Sequence, residues 1–150
     1  MLLTSAALCL ALNVYHEARG DGIESQILVI QTTLKRAKEG KKEVCEVVTQ
    51  KDQFSWTNNH LVKNGKVFAI DLAMVPTDIK AWNQAMVLAQ AGLAKHFKTK
   101  YQRKVAKMFA NVTHYHSDAV HPFWADKMKF VGKAGTHLAY IDISKKHKHV

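Results

Sequence analysis

Two apolar helical repeats separated by the turn Gly20-Asp21-Gly22 constrain this chain more than any other feature. The upstream segment, 4–18, carries an apolar face, and Thr4 or Ser5 suits the N-cap position. The downstream segment, 23–39, repeats apolar residues every three and four positions. Two amphipathic segments joined by a short glycine turn predict a helical hairpin.

Glu17 falls in the last turn of the first predicted helix, directly before the glycine turn. Apolar surroundings disfavour an ionised carboxylate, and the negative end of a helix dipole acts in the same direction. Arg19 acts in the opposite direction. A carboxylic acid whose pKa is raised toward neutrality is suited to protonate a glycosidic oxygen. Glu17 is therefore a candidate general acid, and the residues alone leave open a solvated glutamate at a helix end.

The rest of the chain predicts mostly helix with a small extended component. We expect short helices at 44–50, 101–109 and 125–132, a longer helix after the N-cap Thr77, an irregular segment at 51–70, and two extended segments, 112–116 and 136–143, that pair. The longer helix has an apolar stripe formed by Ile79, Trp82, Met86, Ala89, Leu93 and Phe97. The predicted fold class is mainly α, or α+β with a minor β-hairpin, in a single domain over 1–150.

The net charge of +10 indicates a polyanionic partner: nucleic acid, an anionic membrane surface or an anionic cell wall. The dense basic run 95–107 is the best candidate for the surface that faces such a partner, with a solvated helix face as the alternative. We expect the basic tail, 145–150, to be solvated. No nucleic-acid-binding motif is present and the lysines are not interleaved with stacking aromatics, so no specific nucleic acid is expected.

Cys9 and Cys45 are the only cysteines, and each lies in an apolar helical context. Buried free thiols are the favoured interpretation, while a single disulfide stays open. No cofactor is expected. No run approaches the roughly 20 apolar residues that a membrane span requires. The apolar start of the chain lacks the basic region of a signal peptide, so we expect it to be the first helix of the mature protein.

Three histidines raise the alternative of a metal site. His114 and His116 alternate on a predicted strand and share a face, and His121 follows shortly after. His114 and His116 have no Cys or other ligand that completes a recognised metal-binding pattern, which makes this alternative weak. His16-Glu17 does not start the zinc-protease helix motif, because that motif needs a second histidine at the position that Gly20 occupies.

Seven short motifs follow one another between about residues 11 and 140: Tyr15-x-Glu17-Ala18-Arg19-Gly20, Gln26, Leu34-x-Arg36, Val44-Cys45-x-Val47-Val48-x-Gln50, Gln53-Phe54-Ser55-Trp56-Thr57, Thr113-His114-Tyr115-His116 and Pro122-x-Trp124-Ala125. In this order they resemble the cell-wall hydrolase family typified by the spore cortex-lytic enzymes. The resemblance implies a small lysozyme-like fold that cuts the glycan strand of peptidoglycan. Some positions depart from the family pattern, with Lys35 in place of a common Asn and Asp21 in place of a common Glu.

The resemblance implies that Glu17 protonates the oxygen between N-acetylmuramic acid and N-acetylglucosamine. Several members of the family act as lytic transglycosylases, in which the muramic C6 hydroxyl attacks the anomeric carbon. A hydrolytic muramidase would instead need a second carboxylate, and Asp21 and Glu24 are the nearest in sequence. The residues expected to contact sugar are Tyr15, Gln53, Ser55, Trp56, His114, Tyr115, His116 and Trp124. For Trp56, the alternative is that its ring is buried in the core and anchors the loop.

These expectations define the predicted partners and setting. The partners are peptidoglycan glycan strands and, through basic residues, an anionic cell-wall or outer-membrane surface, and the protein is expected to be a monomer. Without a signal peptide, such an enzyme would be made in a host cytoplasm and reach the cell wall after release by another protein, as phage endolysins are. A non-catalytic basic module that binds the cell wall is the alternative from a different functional class.

Overall fold

The computed structural model describes residues 1–50, 53–65 and 67–144. Within these ranges the chain forms five α-helices and five β-strands, and the strands make two small antiparallel sheets. This composition confirms the predicted fold class, mainly α with a minor β component. No helix in these ranges is long and apolar enough to cross a membrane. The predicted basic tail, 145–150, lies outside the described residues.

Helix α1 (Ala6–Ala18) forms the centre of the core. The residues from Cys9 to Val14 are each at most 1% exposed, so the helix is enclosed on all sides and not on one face as predicted. The hydroxyl of Ser5 caps it by accepting a hydrogen bond from the backbone N–H of Leu8 at 3.1 Å, which confirms one of the two predicted caps. The helix ends at the predicted turn, where Gly20 and Gly22 adopt φ of +80° and +90°.

Helices α2 (Ile23–Gly40) and α3 (Val44–Thr49) pack against α1. Because α3 docks beside the start of α1, the Cα atoms of Cys9 and Cys45 come to 5.3 Å, and the two residues form a disulfide. The expectation of free thiols is therefore wrong. The sequence does not indicate this disulfide, because 36 positions separate the two cysteines and only the packing of α3 brings them together.

Helix α4 (Ile79–Leu93) begins one residue later than predicted, because the side chain of Asp78 and not Thr77 accepts from the backbone N–H of Ala81. Its buried residues are Ala85, Leu88, Ala89 and Gly92, so the predicted stripe is only partly correct. Ile79 is 66% exposed. Phe97 is buried, but it follows the end of the helix. Helix α5 (Lys100–Met108) confirms the predicted helix at 101–109 within one residue.

Strands β1 (Leu61–Asn64) and β2 (Val67–Ile70) pair as an antiparallel hairpin. They lie within the segment 51–70, which was predicted to be irregular, so that prediction is wrong for these two strands. Positions 51, 52 and 66 of the segment lie outside the described residues. Asn64 pairs with Val67, so Gly65 begins the turn between the two strands. The two strands are short and mostly exposed, which leaves little apolar alternation for the sequence to reveal.

The second sheet has the order β3 (His114–Ser117), β5 (His137–Ile141), β4 (Lys129–Ala134). The predicted pairing of the two extended segments is confirmed, with Tyr115 opposite Ala139. The predicted helix at 125–132 is wrong. Only Ala125–Lys127 forms a 3-10 turn, and the chain then enters β4 because β5 offers it a hydrogen-bonding partner. The sheet packs beside α2 and brings β3 to the end of α1.

Candidate active site

The carboxylate of Glu17 lies at the C-terminal end of α1, beside strand β3. The hydroxyl of Tyr115 donates a hydrogen bond to its Oε1 atom over 2.7 Å. Burial raises the pKa of Glu17, and this effect outweighs the opposite effects of Tyr115, His137 and Arg36. Glu17 is therefore protonated at a higher pH than an exposed glutamate, which is the property required of a general acid.

Tyr115 keeps its proton over the whole physiological range. Burial raises its pKa well above the usual value, and the neighbouring Glu17 raises it further by charge and by hydrogen bonding, while Arg36 lowers it. A phenol that retains its proton is a permanent donor to the carboxylate. Tyr115 therefore fixes the position of one carboxyl oxygen of Glu17.

Strand β3 divides the predicted sugar contacts into two groups. Successive side chains of a strand point to opposite faces. Tyr115 faces Glu17, while His114 and His116 approach the ring of Trp124 with centroid distances of 5.3 Å and 5.6 Å. The structure therefore brings Tyr115 to the acid and places His114, His116 and Trp124 in a separate aromatic cluster.

Arg36 joins three parts of the site. Its Nε donates to the carbonyl oxygen of Thr113 at 2.7 Å, and its guanidinium also donates to Oε1 of Gln53 at 2.7 Å. Burial lowers the pKa of Arg36, yet guanidinium groups stay charged in proteins. Its positive charge favours the ionised form of Glu17. Arg36 thus stabilises the ionised form of Glu17.

A cleft of about 520 Å³ opens beside Arg36. Gln53 and His114, two of the predicted sugar contacts, line it together with Thr113. Glu17 itself does not line this cleft. Arg36 borders the cleft and also acts on the ionisation of Glu17, so this residue links the cleft to the acid.

Asp21 holds the turn between β4 and β5 against the end of α1. Its carboxylate accepts from the backbone N–H of Thr136 at 3.1 Å, from the Thr136 hydroxyl at 3.1 Å, and from Nδ1 of His137 at 3.0 Å. Burial acts to raise the pKa of Asp21, but these bonds and one from Ser25 hold it below its usual value. Its oxygens are occupied by the protein's own donors.

Ser25, His137 and Asp21 have the composition of a nucleophilic triad but not its geometry. The Ser25 hydroxyl lies 2.8 Å from Nδ1 of His137, and Asp21 lies 3.0 Å from the same nitrogen. A triad needs the serine and the carboxylate on opposite ring nitrogens. Ser25 is also fully buried. The three residues form a structural clamp that holds the ring of His137 edge-on to Tyr115, with centroids 5.1 Å apart.

Glu24, the other predicted candidate for a second carboxylate, is bound to a different element. The hydroxyl of Tyr101 on α5 donates to its Oε1 atom at 2.5 Å. This bond lowers the pKa of Glu24. The groups that act on the ionisation of Glu17 are Tyr115, His137 and Arg36, and none of them is a carboxylate.

Tyr15 and Trp56 are scaffold residues: Tyr15 belongs to α1, and Trp56 packs against it. Tyr15 is 3% exposed, and its hydroxyl accepts from the backbone N–H groups of Thr77 and Asp78 at the start of α4. Trp56 is 8% exposed, and its indole N–H donates to Oδ1 of Asn13 at 2.9 Å. Both side chains offer little surface to a sugar.

The loop containing Trp56 also presents polar groups to solvent. Phe54 is buried, and Ser55 and Gln53 are exposed. The predicted contacts of this loop therefore divide into buried rings, which anchor it, and exposed polar side chains, of which Gln53 lies beside Arg36.

The histidines proposed as weak metal ligands are engaged elsewhere. Nδ1 of His116 lies 2.7 Å from the carbonyl oxygen of Ser117, and its Nε2 lies 2.8 Å from the Tyr140 hydroxyl. Since a carbonyl only accepts, Nδ1 carries a proton, and Nε2 is engaged by the Tyr140 hydroxyl. Nε2 of the exposed His121 pairs with Asp126 at 3.0 Å. Within the described ranges, no three potential ligands converge.

Two residues of the site were missed as functional candidates. Arg36 belongs to the motif Leu34-x-Arg36. Its place on the helix predicted to pack beside Glu17 could have indicated a role in the site. His137 gave no signal, because only the pairing of β3 with β5 brings it beside Tyr115.

Comparison with protein families matches residues 20–140 to the family described as Cell Wall Hydrolase. The match begins three residues after Glu17 and includes Arg36, Tyr115 and His137. Searches of curated proteins and of solved structures found no match. The family match covers most of the sequence, and the chain therefore belongs to the cell wall hydrolase family.

Proposed function

We propose that this protein is a peptidoglycan glycosidase that cleaves the bond between N-acetylmuramic acid and N-acetylglucosamine, with Glu17 as general acid and base. Membership of the cell wall hydrolase family supports a peptidoglycan-degrading enzyme. The observation that carries the finer proposal is the Glu17 carboxyl, whose pKa burial raises and whose Oε1 accepts from Tyr115 at 2.7 Å.

The proposed reaction is lytic transglycosylation. Glu17 gives its proton to the bridging oxygen as the bond from that oxygen to the anomeric carbon breaks. The C6 hydroxyl of the same muramic residue then forms a bond to the anomeric carbon and releases its proton to the Glu17 carboxylate. The product has a 1,6-anhydro end, and Glu17 regains its starting state without consuming water.

Three features of the site support this sequence of proton transfers. Burial raises the pKa of Glu17 and so favours its protonated form before the reaction. The positive charge of Arg36 and the hydrogen bond from Tyr115 stabilise the carboxylate after it gives up its proton. Opposing effects of this kind keep a carboxylic acid poised to give and regain a proton near neutral pH.

The surroundings of Asp21 and Glu24 favour transglycosylation over hydrolysis. A hydrolytic glycosidase normally uses a second carboxylate as base or nucleophile. Asp21 is held by Thr136 and His137, and Glu24 is held by Tyr101. Neither carboxylate is among the groups that shift the pKa of Glu17. The C6 hydroxyl of the substrate therefore supplies the nucleophile in the proposed mechanism.

Mass spectrometry of the soluble products from purified peptidoglycan tests this proposal. We expect muropeptides that end in 1,6-anhydromuramic acid from the wild type, and at least a 100-fold lower yield from Glu17→Gln, since general acids contribute about 10²–10⁴ in rate. The variant Glu24→Gln is the matched control, because it makes the same change at a carboxylate bonded to Tyr101. It should retain wild-type activity.

Other products would contradict specific parts of the proposal. Reducing muramic ends would identify a hydrolytic muramidase and rule out the transglycosylase. Cut peptides with intact glycans would overturn the glycosidase. Undigested wall bound equally by the wild type and by Glu17→Gln would identify a non-catalytic wall-binding module.

We further propose that the enzyme acts as an endolysin on the host cell wall. Expression with and without a cleavable export signal tests this role. Lysis is expected when the wild type is exported to the periplasm, and Glu17→Gln exported in the same way should not lyse the cell. Lysis by the exported variant would contradict the role assigned to catalysis.

A further inference from the structure

A second cavity, of about 660 Å³, lies between α2, the end of α4 and α5. It shares no lining residue with the cleft beside Arg36. Five cations line it: Lys35, Lys38, Lys95, Arg103 and Lys107. We call this cavity the basic pocket. Its lining includes no acidic residue.

Most of the positive charge in the basic pocket is not neutralised by the protein. Lys35 pairs with Glu39 at 3.4 Å. The other four cations form no ion pair with any described residue. Arg103 and Lys107 are also four positions apart on α5, a spacing at which like charges destabilise a helix. A concave site with uncompensated charge attracts and concentrates anions.

Arg103 is held in a fixed orientation at the edge of the basic pocket. One of its terminal nitrogens donates to the carbonyl oxygens of Phe97 and Lys98, each at 3.0 Å. Its remaining N–H donors have no hydrogen-bond partner among the described residues. A guanidinium with one side anchored and the other open is pre-organised for the oxygens of a phosphate group.

Lys95 occupies a backbone position that favours glycine. It follows the end of α4 with φ of +55°, and the capping bond from His96 N–H to the Ala91 carbonyl closes the helix at 2.9 Å. Glycine is the usual residue at this position of a helix end. A lysine at this position destabilises the left-handed backbone relative to glycine, and it supplies one of the cations of the basic pocket.

We propose that the basic pocket is a second, non-catalytic site that binds the phosphodiester groups of an anionic wall polymer. The choice of a wall polymer rests on the proposed function, and the preference for phosphate rests on the charge and on Arg103. A polymer held here would keep the enzyme on the wall while the glycan strand enters the separate cleft beside Arg36.

The lining argues against the two other polyanionic partners. None of the large hydrophobic residues that are exposed in the described ranges lines the basic pocket, so it offers nothing to insert into a lipid surface. Phe97, its aromatic ring, is 5% exposed and is not available for bases to stack on.

The test measures binding of a fluorescent poly(glycerol phosphate) chain of about ten units by anisotropy, with full-length protein carrying Glu17→Gln. Adding Lys95→Gly should weaken binding about fivefold, the effect of one lysine close to a phosphate surface. The same variant should keep or raise the melting temperature, because glycine relieves the left-handed backbone. Loss of binding without loss of stability separates a binding role from a structural one.

Lys41→Gly is the matched control. Lys41 ends α2 with φ of +52°, and the N–H of Lys42 donates to the Ala37 carbonyl at 2.9 Å, as at the end of α4. This variant removes the same charge from the same backbone conformation outside the basic pocket. Its affinity should match that of the parent protein.

The outcomes separate the possible partners. Equal loss of affinity in Lys41→Gly and Lys95→Gly would show a general effect of charge. It would contradict the proposal that the polymer binds in the basic pocket. Tighter binding of a ten-nucleotide poly-dT, or of vesicles with anionic phospholipid, would assign the surface to nucleic acid or membrane instead. Absence of binding to the polymer would overturn the proposal. Each result is independent of glycan cleavage, since the parent protein lacks Glu17.

Discussion

The hydroxyl of Tyr115 donates to the carboxylate of Glu17 across 98 positions of sequence, over 2.7 Å. The bond joins the end of α1 to strand β3, so the orientation of the acid depends on how the sheet docks on the helices. It also opposes burial, because it stabilises the ionised carboxylate while burial favours the neutral acid. Together with the charges of His137 and Arg36, these two effects set the pH at which Glu17 holds its proton.

Tyr115→Phe should therefore change both the rate and its pH dependence. Loss of the bond removes a contribution that lowers the pKa of Glu17, so the alkaline limit of activity should move to higher pH. The rate at the optimum should fall about 10- to 100-fold, since a bond to a charged group is worth about 1.5–3 kcal/mol. The pH–rate profile of peptidoglycan solubilisation measures both changes. A shift of the limit to lower pH would contradict the role of the bond.

Glu17→Gln should stabilise the protein at neutral pH while it abolishes activity. Because the pKa of Glu17 is raised in the folded state, the wild type loses stability as the pH rises from the ordinary value of 4.5 through the raised pKa. Glutamine does not titrate and still accepts from Tyr115. Thermal melts should show a higher melting temperature for the variant at pH 7 and no difference near pH 3. A lower melting temperature at pH 7 would mean that the ionised carboxylate stabilises the fold.

The disulfide between Cys9 and Cys45 should contribute about 4 kcal/mol to the free energy of unfolding, as expected for a closed loop of this size. Urea unfolding of the wild type with and without reductant measures this contribution. Cys45→Ala lacks the bridge, so reductant should leave its unfolding midpoint unchanged. A wild type that is insensitive to reductant would contradict a stabilising disulfide.

Local patterns predicted the helices and the position of Glu17. The apolar repeats around Gly20 and Gly22 are spaced as helices require, so they located the corner at which the acid lies. The helix predicted over 125–132 failed because β4 depends on pairing with β5, a contact between distant segments. Short windows of sequence do not contain that information.

The environment of Glu17 was less predictable than its position. His114, Tyr115 and His116 form one sequence motif, but the alternation of strand β3 sends them to two faces. His137 joins the site only because β5 lies between β3 and β4. A sequence motif lists the residue types present, and the topology decides which of them meet.

Asp21→Asn tests whether Asp21 is a structural clamp or a second catalytic carboxylate. The change weakens the bonds to Thr136 and His137 and should lower the free energy of unfolding at pH 7 by about 1–3 kcal/mol. Since the folded-state pKa of Asp21 is lowered, its contribution is present above the ordinary value of 3.8 and is lost as the pH falls through the lowered pKa. Urea unfolding should therefore show a smaller difference near pH 2.

At a temperature where the variant is folded, glycan cleavage should fall far less than in Glu17→Gln, because a clamp transfers no proton. A 100-fold loss in a fully folded variant would instead assign Asp21 a catalytic role.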